Sequence, residues 1–189
     1  MLENLLSYDY HPLVVHIPIA FLMIYSIFEI VTSIFFSRKW FSFLWTKIFL
    51  LFVGALGAQG ALATGEIAEE LNESLLSRKI LHSHEEWASF TAGLFWVIFI
   101  IYLIIVITQK PFFKEKIDRL VDKSKYINIF FGVLNTIGKF FVRYKIFLIL
   151  GALIGLVAVS VTGALGGALV YGKDADPFVI ITLKILGLY

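Results

Sequence analysis

Residues 146–171 read IFLILGALIGLVAVSVTGALGGALVY, 26 residues without a charged side chain. About 20 apolar residues cross a bilayer as a helix, within a range of roughly 17–25. Three further stretches have the same character: Pro12 to Phe36, Ile48 to Gly65 and Trp87 to Thr108. None of them alternates with period two, as barrel strands must, so helices are expected. The composition agrees. Of 189 residues, 59% are hydrophobic and 16% charged, against about 45–50% and about 25% in an ordinary soluble domain. A chain this apolar cannot hide its apolar surface in one soluble core of this length. A soluble enzyme and a disordered chain are thereby excluded. The expected fold is all-α: one domain over residues 1–189, an integral membrane four-helix bundle with an amphipathic interfacial helix.

The charges give an orientation. Arg38, Lys39 and Lys47 follow the first span with no acid among them. The link after the third span, residues 109–145, holds nine Lys/Arg against Glu115, Asp118 and Asp122. Residues 1–11 carry only Glu3 and Asp9, and residues 66–86 carry six Glu against Arg78 and Lys79. Twelve of the sixteen basic residues thus lie on one side. The positive-inside rule then places both termini and the 66–86 link outside, in a bacterial inner membrane. The acidic first ten residues do not resemble a signal-peptide n-region, so the first span is expected to be a retained anchor. A net charge of +2 is too small to suggest nucleic acid.

In the long link, Ile117, Leu120, Val121, Ser124, Ile127, Phe131, Leu134 and Phe141 recur mostly every three or four residues. That pattern predicts an amphipathic helix on the cytoplasmic interface, broken near Gly132 or Gly138. The apolar tail from Pro177 to Tyr189 is too short to cross and is expected at the outer interface.

The chain contains no cysteine. Disulfides, iron–sulfur clusters, c-type haem attachment and thiolate metal sites are all excluded. Any cofactor is left to His, carboxylate, hydroxyl or packing.

The spans pair into two similar hairpins. The second span (GALGAQGALATGE) and the end of the fourth (VSVTGALGGALVYG) both carry small residues at four-residue spacing and a Thr-Gly. Such stripes let helices approach closely, and they also leave room for a flat ring. Gly57, Ala61 and Gly65 form one stripe; Gly155, Gly163 and Gly167 fall on the other. The first and third spans each open with two histidines, His11 and His16, then His82 and His84. A parallel repeat would place the start of the first span opposite the start of the third. One histidine from each would then face the other, the geometry of two axial haem ligands.

Not all four can serve. His11 and His16 differ by roughly 140° around a helix, His82 and His84 by roughly 200°. His16 lies deeper and is the better inward candidate, with His11 second. His84, in line with Ala88 and Ala92, is preferred over His82, in line with Ser89 and Gly93. A haem-free alternative is a non-haem iron or zinc site recruiting Glu85 or Glu86 beside His82. Glu29 is the one charged residue inside a span. It is read either as an ion pair with Arg38, Lys39 or Lys47, or as a proton or quinone-headgroup site.

HPLVVHIPIA at 11–20 and TGALGGALVYG at 162–172 resemble the bacterial membrane family called domain of unknown function 2231. The matching positions are His11, Pro12, His16 and Pro18; Glu29; and Gly166, Gly167, Leu169, Val170 and Tyr171. The chain departs in its long 109–145 link and in Lys173, Asp174 and Ala175, where members carry His-Gly-Val. The resemblance implies a four-span fold. Some members are joined to iron–sulfur redox domains, which implies electron transfer.

The functional expectation is a b-type haem protein passing electrons at the outer face, with His16 and His84 on the iron. It is expected to be an electron carrier or redox-complex subunit, not a stand-alone enzyme. Its partners would be the lipid bilayer, a redox protein or quinone, and a larger membrane complex. The alternative is a haem-free assembly subunit, or a membrane protein that responds to metal or pH through its His cluster.

Overall fold

The computed structural model describes residues 10–72, 77–113 and 125–189. In chain order the helices are α1 (His11–Val14), α2 (His16–Phe35), α3 (Leu44–Asn72), α4 (Arg78–Gln109), α5 (Lys125–Arg143), α6 (Ile146–Tyr171) and α7 (Pro177–Ile185), with a 3-10 turn at Ser37–Phe43 between α2 and α3. No strand occurs among the described residues. Four of these elements are long and apolar enough to cross a membrane, the first of them running through α1 and α2.

Each spanning helix packs on two others. α2 lies against α3 and α6, and α4 lies against α3 and α6, so α2 and α4 sit on one diagonal of a four-helix bundle. Aromatic side chains fill the axis between them. The fully buried Tyr25 ring meets Phe95 at 6.0 Å and Tyr102 at 6.2 Å, both edge-on. Edge-to-face pairs at this distance are the preferred arrangement of aromatic quadrupoles.

Glycines mark two of the close helix approaches. A Cβ on Gly57 would stand 2.7 Å from an Ile17 methyl and 3.0 Å from the Pro18 ring, and one on Gly155 would stand 2.5 Å from the Phe95 ring. Those contacts bring α3 onto α2 and α6 onto α4. The expectation that Gly57 and Gly155 admit a cofactor ring is therefore corrected: neighbouring side chains already fill the space.

The helix ends differ from the sequence reading. α3 and α4 run beyond the predicted 48–65 and 87–108, so both extend past the apolar core at the end carrying the histidines, called the His end below. Polar helix formers such as Glu66, Glu69, Arg78 and Lys79 continue these helices where no breaker stops them. At the opposite, basic end, α5 runs unbroken through Gly132 and Gly138. Gly138 is buried where α5 crosses Thr108 and Gln109 of α4, so this glycine marks a close approach and not a break. Ile117, Leu120, Val121 and Ser124 lie outside the described residues.

α7 closes the His end. Asp176 caps it, accepting from the Phe178 and Val179 amides at 2.7 and 3.0 Å, and Pro177 occupies its first turn. Val179 and Leu183 bury against Ile80, Leu165 and Ala168.

Candidate functional site

Two polar clusters lie in the bundle, one near each end. At the His end, the ring centres of His11 and His84 stand 6.4 Å apart with planes at 89°. His84 lies on α4, and His11 lies in α1, the short turn leading into α2. The pair therefore meets across the bundle diagonal.

Each ring is held by the helix beside it. His84 Nδ1 is 3.0 Å from the Thr162 carbonyl of α6. A carbonyl only accepts, so Nδ1 carries the proton and Nε2 is the nitrogen with a lone pair. His11 Nδ1 is 3.1 Å from the Thr64 hydroxyl of α3. That hydroxyl gives its own proton to the Gly60 carbonyl at 2.9 Å, so it accepts from His11, which assigns the same tautomer. Glycines make the approach possible. A Cβ on Gly166 would stand 3.2 Å from His84 Cε1, and one on Gly65 would stand 3.4 Å from His11 Cε1. Gly163 faces open space within 4 Å, while Gly167 lies 3.6 Å from Val179 of α7 by the same measure. Ala61 is half-buried, and its carbonyl also lies near the Thr64 hydroxyl, at 3.2 Å.

The other two histidines turn away. His82 is 71% exposed and lies 3.3 Å from Glu86 and 4.0 Å from Glu85 on its own helix. His16 is exposed and donates from Nδ1 to the Pro12 carbonyl at 2.6 Å. The expectation that His16 is the inward member of its pair is thus corrected in favour of His11. Val15 keeps helical backbone angles (φ −61°, ψ −23°), so His11 and His16 stay about 140° apart around one helical path, and the face that carries His11 is the one turned to the bundle.

Near the basic end, Glu29 is fully buried, and so is Lys47 of α3, whose Nζ lies 2.8 Å from Glu29 Oε2. Ser33 Oγ donates to Oε1 at 2.6 Å, Trp40 Nε1 donates to Oε1 at 3.4 Å, and the Tyr102 hydroxyl donates to Oε2. Trp40 comes from the 3-10 turn, folds back into the bundle and stacks on Tyr102 at 5.8 Å. The Lys47 ammonium stands 4.6 Å from the Trp40 ring centre. Both carboxylate oxygens are therefore satisfied and the charge is paired, as a buried ion requires. Lys145, just outside α6, anchors the turn by donating to the Ser37 carbonyl at 3.0 Å. Burial lowers its ammonium pKa, with the Glu29 charge acting the other way.

Of the three bases that the sequence offers Glu29, the structure selects Lys47; its complete burial carries no sequence signal, because it sits at the head of an apolar run with other bases nearby. Tyr102 and Trp40 gave no local signal at all; their role depends on contacts far apart in sequence. Comparison with protein-family models, curated proteins and solved structures finds no match to this chain.

Proposed function

We propose that the chain is a b-type haem protein that carries electrons at the His end of the bundle, with His11 and His84 as the two axial ligands. One observation carries this reading: the two imidazoles stand with perpendicular planes 6.4 Å apart between ring centres, each with Nδ1 engaged by the protein. Two imidazoles bound through Nε2 on opposite sides of one ion, at metal–nitrogen distances of about 2.0–2.1 Å, have ring centres about 6 Å apart. A hydrogen bond from the other ring nitrogen is also what a ligating histidine generally makes, since it fixes tautomer and orientation.

The donor set favours haem over a bare ion. Among the described residues, no group of three or more His, Cys, Asp or Glu is placed to hold a metal. Zinc and non-haem iron need three or four protein ligands, whereas a haem needs two at most. Gly65 and Gly166 let the two rings lie close against α3 and α6, and Gly163, next to the Thr162 that holds His84, has nothing within 4 Å of an added Cβ. Haem bound there would supply a one-electron couple. His11 and His84 would hold its iron, and the chain would serve as an electron carrier or redox-complex subunit. Thr64 and the Thr162 carbonyl would orient the ligands. The opening and closing motifs, which resemble a family with redox-linked members, point the same way.

The excess of Lys/Arg at the basic end supports an orientation with that end in the cytoplasm of a bacterium. The His end and both termini would then face outward, where a redox protein or quinone would meet the haem within a larger membrane complex. Glu29 is assigned a structural role, because its partners seal and neutralise it.

The test is a reduced-minus-oxidised visible spectrum of the full chain, expressed with ample haem and purified in detergent. A sharp b-type α band is expected. A colourless protein overturns the reading. Elemental analysis then separates a non-haem iron or zinc site from a metal-free assembly subunit.

A further inference from the structure

We infer that α5 is a membrane-surface helix that inserts an apolar stripe between lipids at the basic end and holds anionic headgroups with its polar face. At about 100° per residue, its side chains divide into three faces roughly 120° apart. One packs on the bundle. Gly138 is buried against Thr108, Asn135 accepts from Gln109 at 3.0 Å, and Phe141 and Val142 pack on the main core.

A second face holds Phe130, Val133, Ile137 and Phe140. Phe130 and Val133 are 60% and 54% exposed. The third holds Lys125, Asn128, Gly132, Thr136, Lys139 and Arg143, all exposed. A helix projecting into water has no reason for the second face. A helix buried in a bundle has no reason for the third. A helix beside the bundle in the membrane plane needs all three: protein on one side, acyl chains below and water above.

Continuity identifies what covers the apolar face. Phe140 stacks on Phe147 of α6 at 5.3 Å and lies 5.1 Å from Tyr144. Phe147 is an exposed residue near the start of a spanning helix, so it faces lipid. Through Phe140 the α5 stripe continues that surface. Lys125, Lys139 and Arg143 then lie at headgroup level, where each base near an anionic surface adds attraction.

The experiment uses the full cysteine-free chain with single cysteines at Asn128, Phe130, Val133 or Lys139, each carrying a nitroxide. The protein is reconstituted in vesicles of phosphatidylcholine, with or without phosphatidylglycerol. Labels at 130 and 133 should be several-fold more accessible to oxygen than to a water-soluble nickel chelate, and labels at 128 and 139 should show the reverse. The label at 130 should sit deeper when phosphatidylglycerol is present, and Lys125→Gln/Lys139→Gln/Arg143→Gln should remove that difference. Equal nickel access at all four positions overturns the proposal by placing the stripe in water. Dipolar broadening at 130 that unlabelled protein dilutes away overturns it in favour of a second copy, and shielding of 130 and 133 from both reagents overturns it in favour of protein cover. Identical depth of the unaltered chain's label in the two vesicle types refutes the anionic preference.

Discussion

The Glu29 carboxylate and the Lys47 ammonium meet at 2.8 Å with neither side chain exposed. One residue comes from the late part of α2 and the other from the first turn of α3, so the pair clamps the hairpin next to its turn. Removing one member leaves the other as an unpaired buried charge, which destabilises a fold by about 3–5 kcal/mol. Glu29→Gln should therefore lower the thermal midpoint in detergent markedly, and Glu29→Gln/Lys47→Met should recover most of the loss. The visible spectrum should not change in either. A normal midpoint with slowed quinol-linked reduction would instead assign Glu29 to proton or quinone chemistry.

The glycines separate into packed and open positions, and the two kinds should respond differently. Gly155→Ala puts a Cβ 2.5 Å from the fully buried Phe95 ring, and overpacking of this kind costs about 1–3 kcal/mol. Gly93→Ala meets nothing within 4 Å and should be neutral or stabilising by up to about 1 kcal/mol through helix propensity. Thermal melts of the two variants check this. Equal effects would mean that α6 does not dock on α4 through Gly155.

Much of this fold was legible because apolar runs of span length leave few alternatives. That a histidine of the first span comes near one of the third was also legible, since an up-and-down bundle brings those helix starts to one end. Which histidine faces inward was not. The roughly 140° between His11 and His16 says that only one of them faces in, but depth along the helix, which favours His16, does not say which face meets the bundle. Small residues at four-residue spacing allow either close helix packing or room for a flat ring, and spacing alone does not say which holds at each glycine. At Gly57 and Gly155 a side chain does; at Gly163 nothing does.

That open position gives a test of cofactor space separate from cofactor ligation. Gly163→Leu enters a half-buried position with no neighbour within 4 Å of the added Cβ, so the fold should persist with an unchanged melt. Haem occupancy per chain should fall several-fold. Full occupancy would show that the ring does not use this edge.

Orientation is accessible because the chain has no cysteine of its own. Lys39→Cys lies at the basic end and Asp174→Cys at the His end, both exposed. In intact cells a thiol reagent that cannot cross the membrane should label position 174 and leave position 39 unlabelled. The reverse pattern would put the His end in the cytoplasm and move the proposed electron exchange to the inner face.

The central claim is that His11 and His84 together hold one haem, and the reduced spectra of four variants test it most directly. His11→Ala and His84→Ala should each abolish the sharp b-type α band or convert it to a five-coordinate form, because each removes one of two axial imidazoles. His16→Ala, exposed and bonded to Pro12, and His82→Ala, exposed beside Glu86, should leave the band in place. A band that survives both His11→Ala and His84→Ala, or is lost with His16→Ala in a protein that still melts normally, would contradict the account.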